Sequence, residues 1–269
     1  MSTHDVSQYG IDSIKQSNES GISFQMDSHS VPMTIDTTAL TRCAQSALVM
    51  DLGSMAYQEA FELQRLWHDA VLALRDGEDS DCIGVLLLVE HNPPVITISR
   101  RPGVAEHLIA TPEQLNAQGV SVEQTDRGGD ITYHGPGQLV VYPILDLQRL
   151  GQNLHAYMRM LEEIVIGVCA RFGVSGQRDP SATGVWVGDS KVCAMGVRVR
   201  RWVTMHGLAL NIDPEMTHYD LIVPCGLAGR SVTSLKRLLG DAAPSMDEAK
   251  QAMTEAFEAE LSARLNRTD

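Results

Sequence analysis

A cysteine that stands between a proline and a glycine is the foremost candidate for chemistry in this sequence. Cys225 lies in the tetrapeptide VPCG, outside any periodic run of apolar residues. Free cysteines mostly behave as small buried hydrophobic residues, and Cys82, Cys169 and Cys193 fit that pattern. Proline and glycine instead predict a turn, and a turn presents its side chains to the surroundings. Cys225 is therefore the candidate nucleophile.

A lysine at the start of an apolar strand is the second candidate. Lys191 begins the run KVCAMG at residues 191–196. A lysine in that position is commonly a solvated strand end whose aliphatic stem lies along apolar surface. In a partly desolvated site it would instead lower the pKa of a neighbouring thiol, or carry protons itself. The residues alone leave both interpretations open.

A glycine-rich run at residues 127–138 is the third candidate. It reads RGGDITYHGPGQ, with two groups of glycines on either side of a short predicted strand. Glycine lets the backbone approach a ligand closely and leaves N–H groups free to bind it. Two tight turns around a hairpin would explain the same residues. The spacing alone favours the hairpin, because it matches neither a P-loop nor a dinucleotide-binding motif.

Other kinds of site find less support. His206, His218 and Cys225 could converge on a metal, but their spacing matches no zinc pattern. No G-x-S-x-G motif supports a hydrolase triad. The five cysteines include no C-x-x-C pair, which makes a disulfide framework or a zinc ribbon improbable. We therefore expect no metal, no cofactor and a reducing, cytoplasmic location.

Length and charge restrict the remaining classes. The chain has 269 residues and a net charge of −13, which argues against a broad nucleic-acid or anionic-membrane surface. No apolar run approaches the roughly 20 residues that a membrane span needs. Residues 1–45 are rich in Ser, Thr, Asp, Asn and Gln, and we expect them to form a disordered extension. Residues 46–269 would then form one folded domain.

The hydrophobic pattern predicts the elements that would position the three candidates. Helices are predicted over residues 54–75, 112–119, 154–172 and 246–264, with Ser54, Thr111 and Ser245 as N-caps. Strands are predicted over 83–89, 95–99, 120–124, 132–134, 139–145, 184–187, 191–200 and 203–212. The strands outnumber those of a βαβ repeat, so the pattern favours an α+β fold.

Several segments, taken in order, resemble the octanoyltransferases of lipoate biosynthesis. They read RGGDITYHGPGQLV at 127–140, KVCAMG at 191–196, HGLALNI at 206–212, and PCG at 224–226 followed by SVTSL at 231–235. The resemblance extends over roughly residues 47–239. It implies a mixed β-sheet flanked by helices, as in the catalytic domains of biotin and lipoate protein ligases.

The resemblance also implies the activity and the site. Cys225 would take an octanoyl group from octanoyl-acyl carrier protein as a thioester, and Lys191 beside it would tune the thiol. The acceptor would be a lysine of the lipoyl domains of 2-oxoacid dehydrogenases or of the glycine cleavage H protein. The donor is already a thioester, so ATP would not be required. The residues implied to bind substrate are Arg127, Gly128, Gly129, Asp130, Ile131, Thr132, Tyr133, His134, Ala194, Met195, Gly196, Gly207, Leu208 and Ala209.

Two alternatives remain open at this point. An ATP-dependent lipoate or biotin ligase on the same fold would need a basic glycine loop for phosphate, and Asp130 would repel that phosphate. A non-catalytic scaffold that binds carrier protein would need neither Lys191 nor Cys225. Acidic partners of an acidic chain would require local positive charge. The run VRVRRW at 197–202 provides it with Arg200 and Arg201, and Arg100-Arg101 is a second candidate.

Overall fold

A computed structural model of the chain describes residues 35, 38–41, 43, 46–75, 82–223 and 230–266. The helices are α1 (Thr38–Thr41), α2 (Tyr57–Arg75), α3 (Pro112–Ala117), α4 (Leu154–Arg171), α5 (Leu235–Leu239) and α6 (Met246–Leu265). The strands are β1 (Leu48–Met55), β2 (Gly84–His91), β3 (Val95–Ser99), β4 (Ser121–Thr125), β5 (Ile131–His134), β6 (Gln138–Leu145), β7 (Gln177–Arg178), β8 (Val185–Val187), β9 (Ser190–Arg200), β10 (Val203–Asn211) and β11 (Ser231–Val232). Short 3-10 helices occupy Val104–His107, Met216–Leu221 and Gly240–Ala242.

Eight of these strands form one mixed sheet. Its order is β1-β2-β6-β10-β9-β8-β7, with β11 paired to β9. β10 pairs antiparallel with β9 from Cys193 onward, and β11 pairs in parallel with Ser190 and Lys191. The remaining three strands form a small sheet in the order β4-β3-β5. Mixed sheets flanked by helices are the architecture that the sequence predicts.

Helices bury both faces of the large sheet. Side chains of α4 and α6, such as Leu161 and Phe257, pack on one face, while α2 packs on the other through Leu63 and Trp67. Successive residues of β2 alternate between these two cores, which explains why its apolar run is continuous. No helix in the described ranges is long and apolar enough to span a membrane.

The start of the first long helix is where the sequence prediction is wrong. Ser54 lies inside β1 rather than at a helix N-cap, and α2 begins at Tyr57. Residues 48–55 alternate between buried and partly exposed positions, and β1 pairs in parallel with β2. A serine near a helix start resembles a cap in sequence, but here the strand pairing determines its conformation.

The other predicted helix starts are confirmed by their caps. Thr111 and Ser245 each accept a hydrogen bond from the backbone N–H three residues later, and Gln114 and Glu248 complete the two capping boxes. The eight-residue strand β1 is not predicted, because the pattern places a helix start within it at Ser54. The two-residue strands β7 and β11 and the five-residue helix α5 are not predicted either. Elements this short carry too little periodicity to be recognised from sequence.

Candidate active site

A cleft lies over the middle of β9 and β10, beneath the glycine-rich loop. Twelve of the residues that the resemblance implies for substrate binding line it: Arg127, Gly129, Asp130, Ile131, Thr132, His134, Ala194, Met195, Gly196, Gly207, Leu208 and Ala209. Three segments that are distant in sequence therefore meet around one space.

The glycine-rich loop forms the roof of the cleft through close backbone contact with β9. The N–H of Gly128 donates to the carbonyl of Val197 at 2.9 Å, and the Arg127 guanidinium donates to the carbonyl of Thr97 at 2.8 Å. A Cβ on Gly196 would lie 2.6 Å from the carbonyl oxygen of Gly128. This contact explains why glycine is needed in β9 at the point where the roof crosses it.

Gly128 and Tyr133 do not line the cleft, unlike the other residues implied for substrate binding. The backbone of Gly128 is occupied by its bond to β9. The Tyr133 side chain is buried in the core of the small sheet, where its ring packs against Tyr219 and its hydroxyl lies 2.9 Å from His218 Nδ1. Both residues therefore belong to the structure around the cleft and not to its lining.

Lys191 lies on β9, three residues before the first cleft residue of that strand. Its side chain is buried, with 7 % of the residue exposed. The ammonium lies 4.8 Å from the centre of the Trp186 ring, and the guanidinium of Arg230 lies 3.6 Å from the centre of the same ring. Arg230 in turn pairs with Asp179 at 2.8 Å. The lysine is thus held by an aromatic surface and not extended into solvent as a strand end.

Cys225 lies outside the described residues, as do its neighbours in the segment 224–229. Both flanks of that segment are described. The N–H of Val223 donates to the carbonyl of His107 at 2.8 Å, and the His107 ring is bonded to Asp130 of the cleft at 2.9 Å. On the other flank, Val232 pairs with Lys191. The described residue before the segment is therefore linked to the roof of the cleft, and the described strand after it is paired with the lysine.

Cys193, the second thiol near Lys191 in sequence, belongs to the hydrophobic core. It is fully buried, and burial raises the pKa of its thiol well above the ordinary value. A thiol in that environment stays protonated and is inert as a nucleophile. Cys193 is therefore a packing residue.

The far wall of the cleft consists of Tyr57, Val140, Tyr142 and the ring of His206. The sequence did not single out Tyr57 or Tyr142, and it did not assign His206 or Val140 to substrate binding. The Tyr57 hydroxyl donates to Thr125 Oγ1 at 2.8 Å, and the Tyr142 hydroxyl lies 2.7 Å from Nε2 of the buried His91. Burial lowers the pKa of His91 to about 4, so this imidazole is neutral at pH 7. Tyr57 lies on α2, Tyr142 on β6 and His206 on β10, so only the fold brings them together.

His206 combines an unusual backbone with a specific partner. Its φ is 58°, and its Nε2–H donates to Oδ1 of Asp126 at 2.8 Å. The other oxygen of Asp126 accepts from Arg198 at 2.5 Å. Burial lowers the pKa of His206, while the hydrogen bond from His206 lowers the pKa of Asp126. The pair is therefore a neutral imidazole that donates to an ionised carboxylate.

His134 is the second histidine that lines the cleft. Its Nδ1 lies 2.7 Å from Oε1 of Gln138, and burial holds the pKa of the ring well below its usual range. It therefore contributes a neutral, uncharged surface to the cleft. In the described part of the chain, no group of three or more His, Cys, Asp or Glu side chains is placed to hold a metal ion.

Comparison with known proteins shows the family to which this chain belongs. Residues 56–258 match the model for the lipoyl protein ligase A/B catalytic domain. The octanoyltransferase of Chloroflexus aggregans is 47 % identical over 204 residues, which are 75 % of this chain and 89 % of that protein. The chain belongs to the octanoyltransferase family. Members of this family are acyltransferases, and the octanoyltransferase of Geobacter metallireducens, 43 % identical over 200 residues, covers 74 % of this chain and 87 % of its own length.

Solved structures confirm the fold of the family in this chain. Lipoate-protein ligase A bound with ATP superposes with a TM-score of 0.59 at 16 % identity, over 81 % of this chain and 85 % of that one. A bipartite lipoate protein ligase from Thermoplasma acidophilum, described with its E2 lipoyl domain, gives a TM-score of 0.61 at 16 % identity over 81 % and 84 %. The predicted likeness to the lipoate protein ligase catalytic domain is correct.

Proposed function

We propose that the chain transfers an octanoyl group from octanoyl-acyl carrier protein to a lysine of a lipoyl domain, through a thioester on Cys225 and without ATP. The acceptors would be the lipoyl domains of 2-oxoacid dehydrogenases and the glycine cleavage H protein. The observation that carries the proposal is the anchoring of the segment 224–229 between the cleft and Lys191. The proposal is further supported by the membership of this chain in the octanoyltransferase family and by the largely apolar lining of the cleft.

Covalent geometry supports the role of Cys225. It is two residues beyond Val223, so the chain alone keeps their Cα atoms within about 7 Å. The N–H of Val223 bonds to His107, and His107 contacts Asp130 in the cleft wall. The downstream end of the segment returns to Lys191 through β11. A nucleophile in this segment can therefore work at the end of the cleft that lies toward Lys191.

The proposed reaction has two steps, and each step transfers the octanoyl group from one nucleophile to the next. The thiolate of Cys225 attacks the thioester carbonyl of the donor, and the thiol of the carrier protein leaves and takes up a proton. The lysine amine of the lipoyl domain then attacks the new thioester, so that an amide forms and the Cys225 thiol is restored. The ammonium of Lys191 would favour the Cys225 thiolate in the first step and then give its proton to the departing carrier thiolate. Neutral Lys191 would accept the amine proton in the second step and pass it to the released thiolate of Cys225.

A ligase that uses ATP is the second candidate, because the same fold binds ATP in lipoate-protein ligase A. The roof of the cleft argues against a phosphate there, since it presents the carboxylate of Asp130, 2.9 Å from His107 Nδ1. The similarity to octanoyltransferases, at 43–47 % identity, also favours direct transfer. A lipoyl domain as acceptor agrees with the protein that the Thermoplasma ligase is described with.

Intact-mass spectrometry tests the proposal directly. The wild-type protein, incubated with octanoyl-acyl carrier protein and no ATP, should gain one octanoyl group and lose it again when a lipoyl domain is added. Cys225→Ala should gain none, while Cys193→Ala should still acquire the adduct. Octanoylation that requires ATP, or an adduct that persists in Cys225→Ala, would contradict the proposal.

A further inference from the structure

The backbone of His206 is strained, and several contacts hold it in place. A φ of 58° lies in the left-handed region, which non-glycine residues rarely adopt. The backbone N–H donates to Gln64 Oε1 at 2.8 Å, and the imidazole packs against Phe61 with ring centres 5.3 Å apart. Such conformations persist where the surrounding structure enforces them, and they concentrate at functional sites. In His206 the strained backbone places the imidazole at the boundary of the cleft.

The His206 ring stands between two separate spaces. It lines the cleft of the active site on one side. A second cavity, open to solvent, lies beyond and is lined by Asp126, Arg198 and Met205 among others. Asp126 accepts from His206 at 2.8 Å and from Arg198 at 2.5 Å. The hydrogen-bonded pair of His206 and Asp126 therefore forms a partition, and we call this pair the end wall.

The strand register gives the distance from the start of the cleft to the end wall. Cleft residues of the two central strands begin at the pair Ala194–Ala209, and His206 lies opposite Val197. Three residues of antiparallel strand advance about 10 Å. A saturated carbon chain advances about 1.25 Å per bond, so the eight carbons of an octanoyl group span about 9 Å. A straight octanoyl chain whose carbonyl carbon lies beside the Ala194–Ala209 pair would therefore terminate at the end wall.

We propose that the end wall of His206 and Asp126 sets the upper limit on the length of the acyl chain. This inference rests on the proposed function, because it takes the cleft to hold the acyl chain of the thioester. A longer chain would have to displace an imidazole that is fixed by a charge-assisted hydrogen bond and by an aromatic neighbour. A shorter chain would fit but would leave part of the apolar cleft unfilled, and so would bind less tightly.

The central experiment opens the wall without straining the backbone. In His206→Gly the imidazole is gone, and glycine adopts a φ of 58° without a steric penalty. The values of kcat/KM are measured for octanoyl, decanoyl, dodecanoyl and tetradecanoyl thioesters of one carrier protein. Wild type should lose activity beyond eight carbons, whereas the variant should raise the dodecanoyl-to-octanoyl ratio by about tenfold or more, because the added methylenes become buried.

A second variant and a matched control complete the series. Asp126→Ala removes the other half of the end wall. It should also raise the ratio of kcat/KM for the dodecanoyl thioester to kcat/KM for the octanoyl thioester, and we call the dependence of kcat/KM on acyl-chain length the length profile. Asp51→Ala breaks a part-buried ion pair with Lys250, 2.8 Å long, and neither residue lines either cavity. Its length profile should match that of wild type. An unchanged profile in folded His206→Gly and Asp126→Ala would overturn the proposal.

An experiment on the wild-type protein keeps the inference testable if both variants fail to fold. An octanoyl thioester with a photoreactive diazirine at carbon 7 should, on irradiation, label the peptide that contains His206 or the one that contains Phe61. Labelling confined to other parts of the cleft would reject the end wall but leave the proposed function intact. If the protein neither binds the probe nor becomes acylated, the proposed function itself fails.

Discussion

Val232 in β11 pairs with Lys191 in β9, so the chain that leaves the segment of Cys225 runs directly beside the lysine. The next residue strengthens the arrangement, because the N–H of Thr233 donates to the carbonyl of Lys191 at 2.9 Å. β10 does not pair with this part of β9, where its register begins only at Cys193. The two residues of β11 thus couple the position of the candidate nucleophile's segment to the position of the candidate base.

Replacing Lys191 separates its two proposed roles. Lys191→Arg keeps a positive charge, but a guanidinium cannot accept a proton at neutral pH. We expect Cys225 to become acylated within about tenfold of the wild-type rate, while transfer to the lipoyl-domain amine falls by about 10²- to 10⁴-fold. Single-turnover experiments with intact-mass detection resolve the two steps.

The uncharged variant Lys191→Met provides the comparison for the arginine variant. It should slow both steps, since it can neither stabilise the thiolate nor accept a proton. Equal loss of acylation in the arginine and methionine variants would contradict the electrostatic role. Normal transfer by the arginine variant would contradict the proton-acceptor role.

The residues of the site differ in how far the sequence could predict them. The glycine-rich run and the strand at 191–200 carry local patterns, and the structure places both at one cleft. Tyr57 and Tyr142 carry no such pattern, because each occupies an ordinary position on its own element and only the fold brings them to the cleft. His206 begins the motif HGLALNI, but the motif does not show that its ring would face the cleft. Local propensity predicted most strands, but it could not show that Ser54 belongs to one, since that depends on pairing with β2.

The close contact between the roof and β9 predicts a sharp effect of a single methyl group. In Gly196→Ala the new Cβ would lie 2.6 Å from the backbone oxygen of Gly128, so the roof must shift. Overpacking of this kind costs about 1–3 kcal/mol, and we expect a comparable loss in kcat/KM, about five- to 150-fold. Steady-state kinetics and thermal melting measure the two effects.

Gly167→Ala is the matched control for this substitution. Gly167 lies within α4, and nothing approaches within 4 Å of the position its Cβ would take. Alanine should raise the stability by up to about 1 kcal/mol through its higher helix propensity and leave kcat/KM unchanged. Wild-type kinetics in Gly196→Ala would mean that the roof is not part of the substrate site.

The buried His91 makes stability depend on pH in a defined direction. Its pKa is about 4 in the folded chain, because burial disfavours the charged ring, against about 6.5 when unfolded. Between these values the unfolded state binds more protons, so stability falls as pH decreases from about 6.5 to about 4 and then levels off. His91 alone accounts for a loss of about 3 kcal/mol over that range, and His134 acts in the same direction.

Urea unfolding at pH 7.5, 6.0 and 5.0 measures this dependence. His91→Asn should have a lower free energy of unfolding than wild type at pH 7.5. On acidification, however, its free energy of unfolding should decrease by less than that of wild type. His155→Asn replaces an exposed histidine on α4 and should retain the wild-type slope. A slope in His91→Asn as steep as that of wild type would show that another group controls the acid transition.

The turn between β9 and β10 presents a rigid basic surface. Arg201 and Trp202 both have positive φ, at 52° and 67°, and Trp202 is 48 % exposed. Their carbonyls are fixed by hydrogen bonds from Arg75 and from the N–H of Leu147, each 2.8 Å long. The preceding residue, Arg200, is exposed as well. Arginine and tryptophan are the side chains that contribute most at protein interfaces.

Charge reversal tests whether this turn docks the acidic carrier protein. Arg200→Glu with Arg201→Glu should raise the KM for octanoyl-acyl carrier protein and flatten its dependence on salt, because long-range attraction is lost. The same variant should use a small octanoyl thioester as wild type does. Arg171→Glu reverses one charge on α4, where Arg171 pairs with Glu255, and should leave both KM values unchanged. If KM and salt dependence stay at wild-type values in the double variant, the carrier protein docks on another surface.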